Sequence, residues 1–455
     1  MSYTFTQTEL GAGNIQLDVL WSVNAQRYIL QSNLQFTQLT RTIFDVADYL
    51  ATGGAFEYRL LRPAPATNPT GGFSGNTAAG SGAMASIATG TFNTAFGYFA
   101  LTSNTIGLRN AAFGSNALQD NTGNDNTAVG SAALATAGNG SSNVAVGRGA
   151  LTFNTTGNEN TAVGFQALAS NSIGFGSTAV GYRALLNNTA SGNTAVGYGA
   201  LDSNVGGANN CALGYQALDE NISGQDNIGI GSNSLLLNNI GSQNIAIGSY
   251  ALDANTSGSG NVAIGVFSLS ASTANQNTAL GYISLENNTT GTENVGCGYK
   301  ALAANTLGNF NTAVGSRALA GNLTGNNITA FGHEALLLCT SSANCAFGQS
   351  AGKAVTTGAG NILFGNNVGA TLATGVNNII IGRAANVDSA ARSLCVVFGH
   401  NATSPAVDGS LVIGGVGAGN AMANLNVATA GGAAVGEYLN IYLNGVQRKI
   451  ALLLP

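Results

Sequence analysis

From residue 93 to residue 400 the apolar and polar positions repeat one short unit, Asn-Thr-Ala-Val-Gly followed by x-x-Ala-Leu-x-x-Asn, as in residues 193–204. Its glycine, taken here as position 0, recurs nineteen times from Gly97 to Gly399, always 16 or 17 residues apart. So tight a register marks a one-dimensional stack of near-identical coils. Position −1 is apolar (Phe96, Val129, Leu213, Ile247), position −2 is small (Ala95, Ala128, Ala195, Gly229), and position −3 is Thr or another β-branched residue in most coils (Thr127, Val144, Ile228). This alternation is the period-two signature of a strand. Leu stands at +4 in fifteen successive coils, from Leu101 to Leu336, each time after Ala or Ser, and predicts a second short strand-like edge. Asn at −4 (Asn93, Asn126, Asn193) and at +7 (Asn104, Asn121, Asn221) suits corners. Asn tolerates left-handed backbone, and stacked Asn side chains bond along a stack axis. The motif glycine is expected to need positive φ or close backbone approach.

The expected fold is all-β: a parallel β-solenoid, left-handed and β-roll-like, of about nineteen 16–17-residue coils. Stacked at ~4.8 Å per coil it makes a rod of roughly 90 Å. Two three-residue edges per coil enclose little volume. The small residues at −2 therefore predict a second buried face, shared between chains, for which a three-fold fibre is the natural closed arrangement.

Composition sharpens this. Only 7% of residues are charged, against about a quarter in ordinary domains, while 45% are hydrophobic. Disorder through low hydrophobicity is thus excluded. The net charge of −5 is spread thinly, with no basic patch on which nucleic acid binding could rest. No apolar run approaches the roughly 18 residues of a membrane span, so no membrane insertion is expected. The first residues lack a basic stretch followed by an apolar one, so no signal peptide is expected.

The ends depart from the repeat. Residues 1–62 read as an attachment or capping segment, with largely helical spacing between Ile15 and Leu50 that predicts a partly helical element. Residues 63–92, with Pro63, Pro65 and Pro69, read as a linker and an irregular first coil, 93–400 as the shaft, and 401–455 as a trimerisation or tip region. In that last segment Leu439, Ile441 and Leu443 alternate with other residues up to Asn444-Gly445, the preferred two-residue hairpin turn. In the last coils Leu363, Ile380 and Val397 replace the small residue at −2, which predicts that the chains separate slightly or that the core widens.

Candidate chemistry is sparse. Cys211, Cys297, Cys339, Cys345 and Cys395 lack CxxC spacing and read as small buried hydrophobes. His333 and His400 both follow a motif glycine, four coils and so ~19 Å apart, too far to share a metal. Asp120 with Asp125, or Asp219 with Glu220, is the nearest approach to a glycosidase pair, and such scattered acids on turns read as solvated decoration. No catalytic residue, metal site or cofactor is therefore expected. The receptor-binding candidates are the tyrosines just after the glycine: Tyr182, Tyr198 and Tyr215 on successive coils, and Tyr282 and Tyr299 on two more. They could stack on sugar rings, or simply on one another.

The repeats resemble those in the heads of trimeric autotransporter adhesins, left-handed parallel β-rolls in which three chains share a core; residues 193–197 and 244–248 match best. Similar repeats occur in phage and viral tail fibres, and residues 438–450 look like the ending of such fibre proteins. The resemblance implies a non-enzymatic, homotrimeric structural fibre of a phage or virus. It would be made in the host cytoplasm and incorporated in the virion. Its N-terminus would join the virion or a fibre-base protein, and its shaft would present a region that binds a host-surface glycan or protein. The alternatives are a bacterial surface adhesin or extracellular filament subunit and, less favoured, a polysaccharide-degrading tailspike.

Overall fold

The computed structural model describes residues 75–413 apart from Ala137 and Pro405, together with the backbone of strands at 3–9, 14–23, 26–35, 438–443 and 446–451. Twenty-one three-residue strands, from Thr77–Ala79 to Leu411–Ile413, stack in chain order. Each pairs in parallel with the strand of the next coil, equivalent residues side by side, as Thr194 with Cys211, Ala195 with Ala212 and Val196 with Leu213. The chain is thus a parallel β-solenoid. The ladder takes in a coil on each side of 93–400, because Thr77–Ala79 pairs with Thr94–Phe96 and Val396–Phe398 with Leu411–Ile413. At ~4.8 Å per step this ladder is roughly 95 Å long.

One coil shows why the repeat folds this way. In Thr194–Val196 the middle residue, Ala195, points inward and is fully buried, while Thr194 and Val196 face out. Gly197 then turns the chain at φ 144°, and a Cβ there would sit 2.1 Å from the carbonyl oxygen of Gly214 in the next coil. Only glycine permits that approach. Ala200 and Leu201 turn inward and are fully buried. Leu201 has φ 54°, and Leu occupies the left-handed region at +4 in all fifteen coils that carry it. That conformation costs roughly 1–2 kcal/mol. Complete burial of the side chain returns roughly 1.5–3 kcal/mol, so the turn is held by what it buries.

The expected second strand is therefore absent: the Ala-Leu edge is a series of turns, because a left-handed Leu cannot be extended. The edge is still bonded to its neighbour, with the Leu201 N–H donating to the Ala217 carbonyl at 3.0 Å and the Ser203 N–H to that of Asp219 at 2.9 Å.

The asparagines play one of their two expected parts. Those at −4 and +7 are absent from the left-handed residues, which lie instead at −5, +2 and +4, as Asn209, Gln216 and Leu218 do around Gly214. Their side chains point inward, fully buried, and form ladders. Asn193 Oδ1 accepts the backbone N–H of Asn210 at 2.8 Å, and Asn193 Nδ2 donates to the Gly207 carbonyl at 2.8 Å. In the second ladder Asn221 Nδ2 donates to Asn204 Oδ1 at 2.6 Å and to the Gly224 carbonyl at 2.9 Å. Buried amides that are satisfied in this way hold the coils in register.

The small residues at −2 thus line the interior of a single chain, not a face shared between chains. The far-end substitutions are absorbed in the same interior. Leu363 at −2 is almost fully buried, and the usual Leu at +4 has become Gly352 and Gly369 in the adjoining turns. A Cβ on Gly352 would meet Leu363 Cδ1 at 2.4 Å, and one on Gly369 would meet Leu363 Cδ2 at 3.2 Å. Around Leu363 bulk is exchanged between two inward positions, which takes the place of the expected widening of the core.

The segment Met1–Leu60 forms a unit of its own. Strands Tyr3–Glu9, Asn14–Val23 and Gln26–Gln35 make an antiparallel sheet, with Val19 opposite Leu30 and Trp21 opposite Tyr28. This overturns the partly helical expectation as far as residue 35. Ile15, Leu17, Val19, Trp21 and Val23 recur at every second position, the period of a strand, with Leu20 as the one apolar residue between them. The rest of that expectation, residues 36–50, and the linker prolines lie outside the described residues. At the other end Tyr438–Leu443 pairs antiparallel with Val446–Ala451, Leu443 opposite Val446, so that only Asn444-Gly445 joins them, as the hairpin reading required.

Candidate functional site

Two surfaces of the solenoid carry its exposed chemistry. The first is the outward face of the sheet, formed by positions −3 and −1. None of the twenty-one strands contains a charged residue. Val180 is 36% exposed, Leu213 47%, Phe331 48% and Phe364 55%. Phe96 stacks on Phe113 with ring centroids 5.5 Å apart, and Phe331 on Phe347 at 5.7 Å. Three residues wide and roughly 95 Å long, this strip covers about 1,000 Å². Contiguous apolar patches beyond a few hundred Å² mark interaction sites.

The cysteines divide between this face and the core. Cys211 and Cys345 at −3 and Cys297 at −1 are half-buried and face outward, whereas Cys339 and Cys395 take Asn positions in the interior. The reading of all five as buried hydrophobes holds for only those two. Burial pushes the Cys339 thiol above its ordinary range.

The second surface begins at position +1, just past the glycine turn, and holds the tyrosine candidates. They lie outward and stack along the solenoid. Phe165, Tyr182, Tyr198 and Tyr215 form a continuous column, with centroids 5.0–5.2 Å apart and planes within 12° of parallel. Arg148 lies over Phe165 at 5.7 Å and caps the column. Tyr282 and Tyr299 form a looser pair at 6.0 Å. Stacking uses the ring faces that a sugar would need. Inside the column only edges and hydroxyls remain, and a free ring face is found only where a stack ends. Tyr215 and Tyr299 end their stacks, because Ser232 and Ser316 follow them at +1, and at Tyr299 the Lys300 ammonium lies over the ring.

Beside Tyr299 lies an open groove of about 420 Å³, whose lining includes Ala304 and Ala320. Lys300, Arg317 and Glu286 also line it. Lys300 Nζ lies 5.5 Å from the centroid of the Tyr299 ring. Arg317 Nη1 is 2.8 Å from Glu334 Oε1, and Lys353 Nζ is 2.7 Å from Glu334 Oε2. The Lys353 ammonium, with Arg317 helping, holds the Glu334 carboxyl below the usual range. The groove was not expected from the sequence, because it is assembled from positions +1, +2, +5 and +6 of three coils. A trace of it was there: two of the chain's three lysines, Lys300 and Lys353, fall in this region.

The remaining candidates stay apart. His333 and His400 are exposed at +1. Asp125 is held by the Arg109 guanidinium, with Arg109 Nη2 donating to Oδ2 at 2.8 Å, which lowers its pKa. Asp120 accepts from Ser103 Oγ at 2.9 Å. Asp219 accepts from Gln216 Nε2 at 2.9 Å and is raised by burial, while Glu220 is exposed. Among the described residues no group of three His, Cys, Asp or Glu is placed to hold a metal ion, and no helix is long and apolar enough to cross a membrane.

Comparison with protein-family models, with curated proteins and with solved structures finds no match to this chain.

Proposed function

We propose that this protein is the shaft of a homotrimeric phage or viral fibre, which joins the virion or a fibre base at its N-terminus and presents a glycan-binding surface to the host. The observation that carries the reading is the uncharged sheet face. About 1,000 Å² of outward Thr, Val, Ile, Leu and Phe exceeds the ~800 Å² per partner of a stable protein interface. With no charged side chain in any of the twenty-one solenoid strands, the sheet face sets no like charges against those of a second copy. The outward positions −3 and −1 thus supply the shared face first sought at −2. A rod built from satisfied Asn ladders and a single small core needs no catalytic centre. Glu286 is the one carboxylate lining the groove, and hydrolysis of a glycosidic bond by the usual route uses two.

The likeness of residues 193–197 and 244–248 to adhesin head repeats favours a second reading, a bacterial surface adhesin or extracellular filament. Immunogold labelling of a producing culture with antibody against the coils separates the two. Label on fibres projecting from released particles supports the first reading. Label confined to cell envelopes overturns it in favour of the second.

A further inference from the structure

We propose that the groove beside Tyr299 binds a saccharide unit carrying a single negative charge, such as a uronate; this rests on the glycan-binding reading above. Four features of the groove converge on that chemistry.

Its size suits a small ligand: about 420 Å³ lies within the ~300–1,000 Å³ of ordinary ligand pockets, and it is open at the surface, as a site on a long polymer must be. Its aromatic wall is the ring that ends a stack. Tyr299 has Tyr282 stacked on one side, no aromatic ring on the other, and the Lys300 ammonium over it, so a sugar whose anion draws that ammonium aside can lie against the ring without breaking the column.

Its charge is unbalanced. Among the described residues Lys300 belongs to no ion pair, and its ammonium lies over the Tyr299 ring. Arg317 shares the single Glu334 carboxylate with Lys353. Lys300, Arg317 and Lys353 against Glu286 and Glu334 leave one positive charge, in a chain whose net charge is −5. A carboxylate or sulfate meeting Lys300 and Arg317 would make charge-assisted hydrogen bonds, the strong kind.

Its one carboxylate sets a limit. Glu286 also pairs with no cation among the described residues. It can accept hydrogen bonds from sugar hydroxyls, and it repels a densely charged ligand. The groove therefore selects a monoanionic sugar over both a neutral and a polysulfated one.

The test is calorimetric titration of the full-length protein with oligogalacturonate, with its carboxyl-reduced neutral counterpart and with a heparin oligosaccharide of equal length. The oligogalacturonate is expected to bind at least about tenfold more tightly than either of the others. Lys300→Ala and Tyr299→Ala should each weaken it about tenfold, whereas Arg148→Ala, at the other aromatic column, should change nothing. Tyr299 and Arg148 are exposed and Lys300 is half-buried, and circular dichroism checks that the variants keep the fold. Equal or tighter binding of the neutral or the heparin ligand overturns the charge selection. Acidic-sugar binding unchanged in Lys300→Ala and Tyr299→Ala overturns the groove and leaves the glycan reading standing. If none of the three saccharides binds, the groove proposal falls. If cells of the host stripped of surface glycans also bind the protein as well as untreated ones, the glycan reading falls with it.

Discussion

Asn244 donates its backbone N–H to the side-chain oxygen of Asn227, one coil earlier, at 3.0 Å. The same Asn227 donates from Nδ2 to the Gly241 carbonyl at 2.8 Å. One buried amide thus satisfies two backbone groups of the next coil that the strand ladder does not reach.

Asn227→Ala removes both bonds and leaves the buried Asn244 N–H unpaired, while the Gly241 carbonyl keeps the bond from Asn238 Nδ2 at 2.9 Å. At about 1–3 kcal/mol for one orphaned group, the coil should lose roughly that much local stability. Because each coil contacts only its neighbours, the loss should be local. Hydrogen exchange should show the Asn244 amide and the adjoining strands exchanging faster, with coils far along the ladder unchanged.

The glycines at 0 and at +2 should differ sharply. Gly197→Ala places a Cβ 2.1 Å from the Gly214 carbonyl oxygen and should lower stability by about 3 kcal/mol or more. Gly199 also has positive φ, but its Cβ would meet nothing closer than Gln216 Cγ at 3.5 Å, and other coils place Gln or Arg there. Gly199→Ala should therefore cost only the roughly 1–2 kcal/mol of the left-handed conformation itself. Urea unfolding of the two variants side by side decides this.

Around Glu334 the pH dependence has a definite sign. Lys353, and then Arg317, lower the Glu334 pKa in the folded chain. The stability this supplies is present above the unfolded carboxyl's pKa and is lost as pH falls through the lower, folded one. Asp253 behaves oppositely. Burial raises its pKa, with Ser270 partly offsetting, so stability falls as pH rises from the unfolded value to the folded one. Glu334→Gln should reduce the loss on the acid side, to which Asp125 also contributes, and Asp253→Asn should reduce the decline with rising pH, to which Asp202 and Asp219 also contribute. Thermal unfolding between pH 2 and pH 7 would show both.

Cysteine positions report how copies pack. If the sheet faces meet about an axis parallel to the solenoid, each Cys297 lies at the same height as those of its partners. In a Cys211→Ser/Cys345→Ser variant Cys297 is the one outward cysteine among the described residues. A short bismaleimide should then link Cys297 to Cys297, with Cys297→Ser abolishing the product. Antiparallel copies would place Cys297 near the coil of Thr194 and give no such link.

Much of this was legible in the sequence, for reasons that particular residues make plain. Period, strand and Leu column follow from Gly97 to Gly399 and from Leu101 to Leu336, because a stack forces every coil to solve the same packing problem. The direction of Ala195 was not legible, since a small side chain suits a tight interior and a close interface equally well. The left-handed Leu201 was hidden because propensity argues against it, and only burial makes it favourable. At the N-terminus the alternation from Ile15 to Val23 was visible, but mixing it with the later apolar residues blurred its period. Of the site, the outward position of Tyr182, Tyr198, Tyr215, Tyr282 and Tyr299 was readable. That the rings would stack on one another was readable too, from like residues at one position of successive coils, but the groove at Tyr299 depends on neighbours a coil away.

The most direct test is the native mass of the full-length protein, by sedimentation equilibrium or native mass spectrometry. An uncharged face about 1,000 Å² in area, covered by copies of itself, predicts roughly three times 45.3 kDa. Replacing Val180, Val196 and Leu213 on that face by Lys should reduce the mass to one chain with the circular dichroism of the coils intact. A wild-type protein that stays at 45.3 kDa at micromolar concentration would contradict the account.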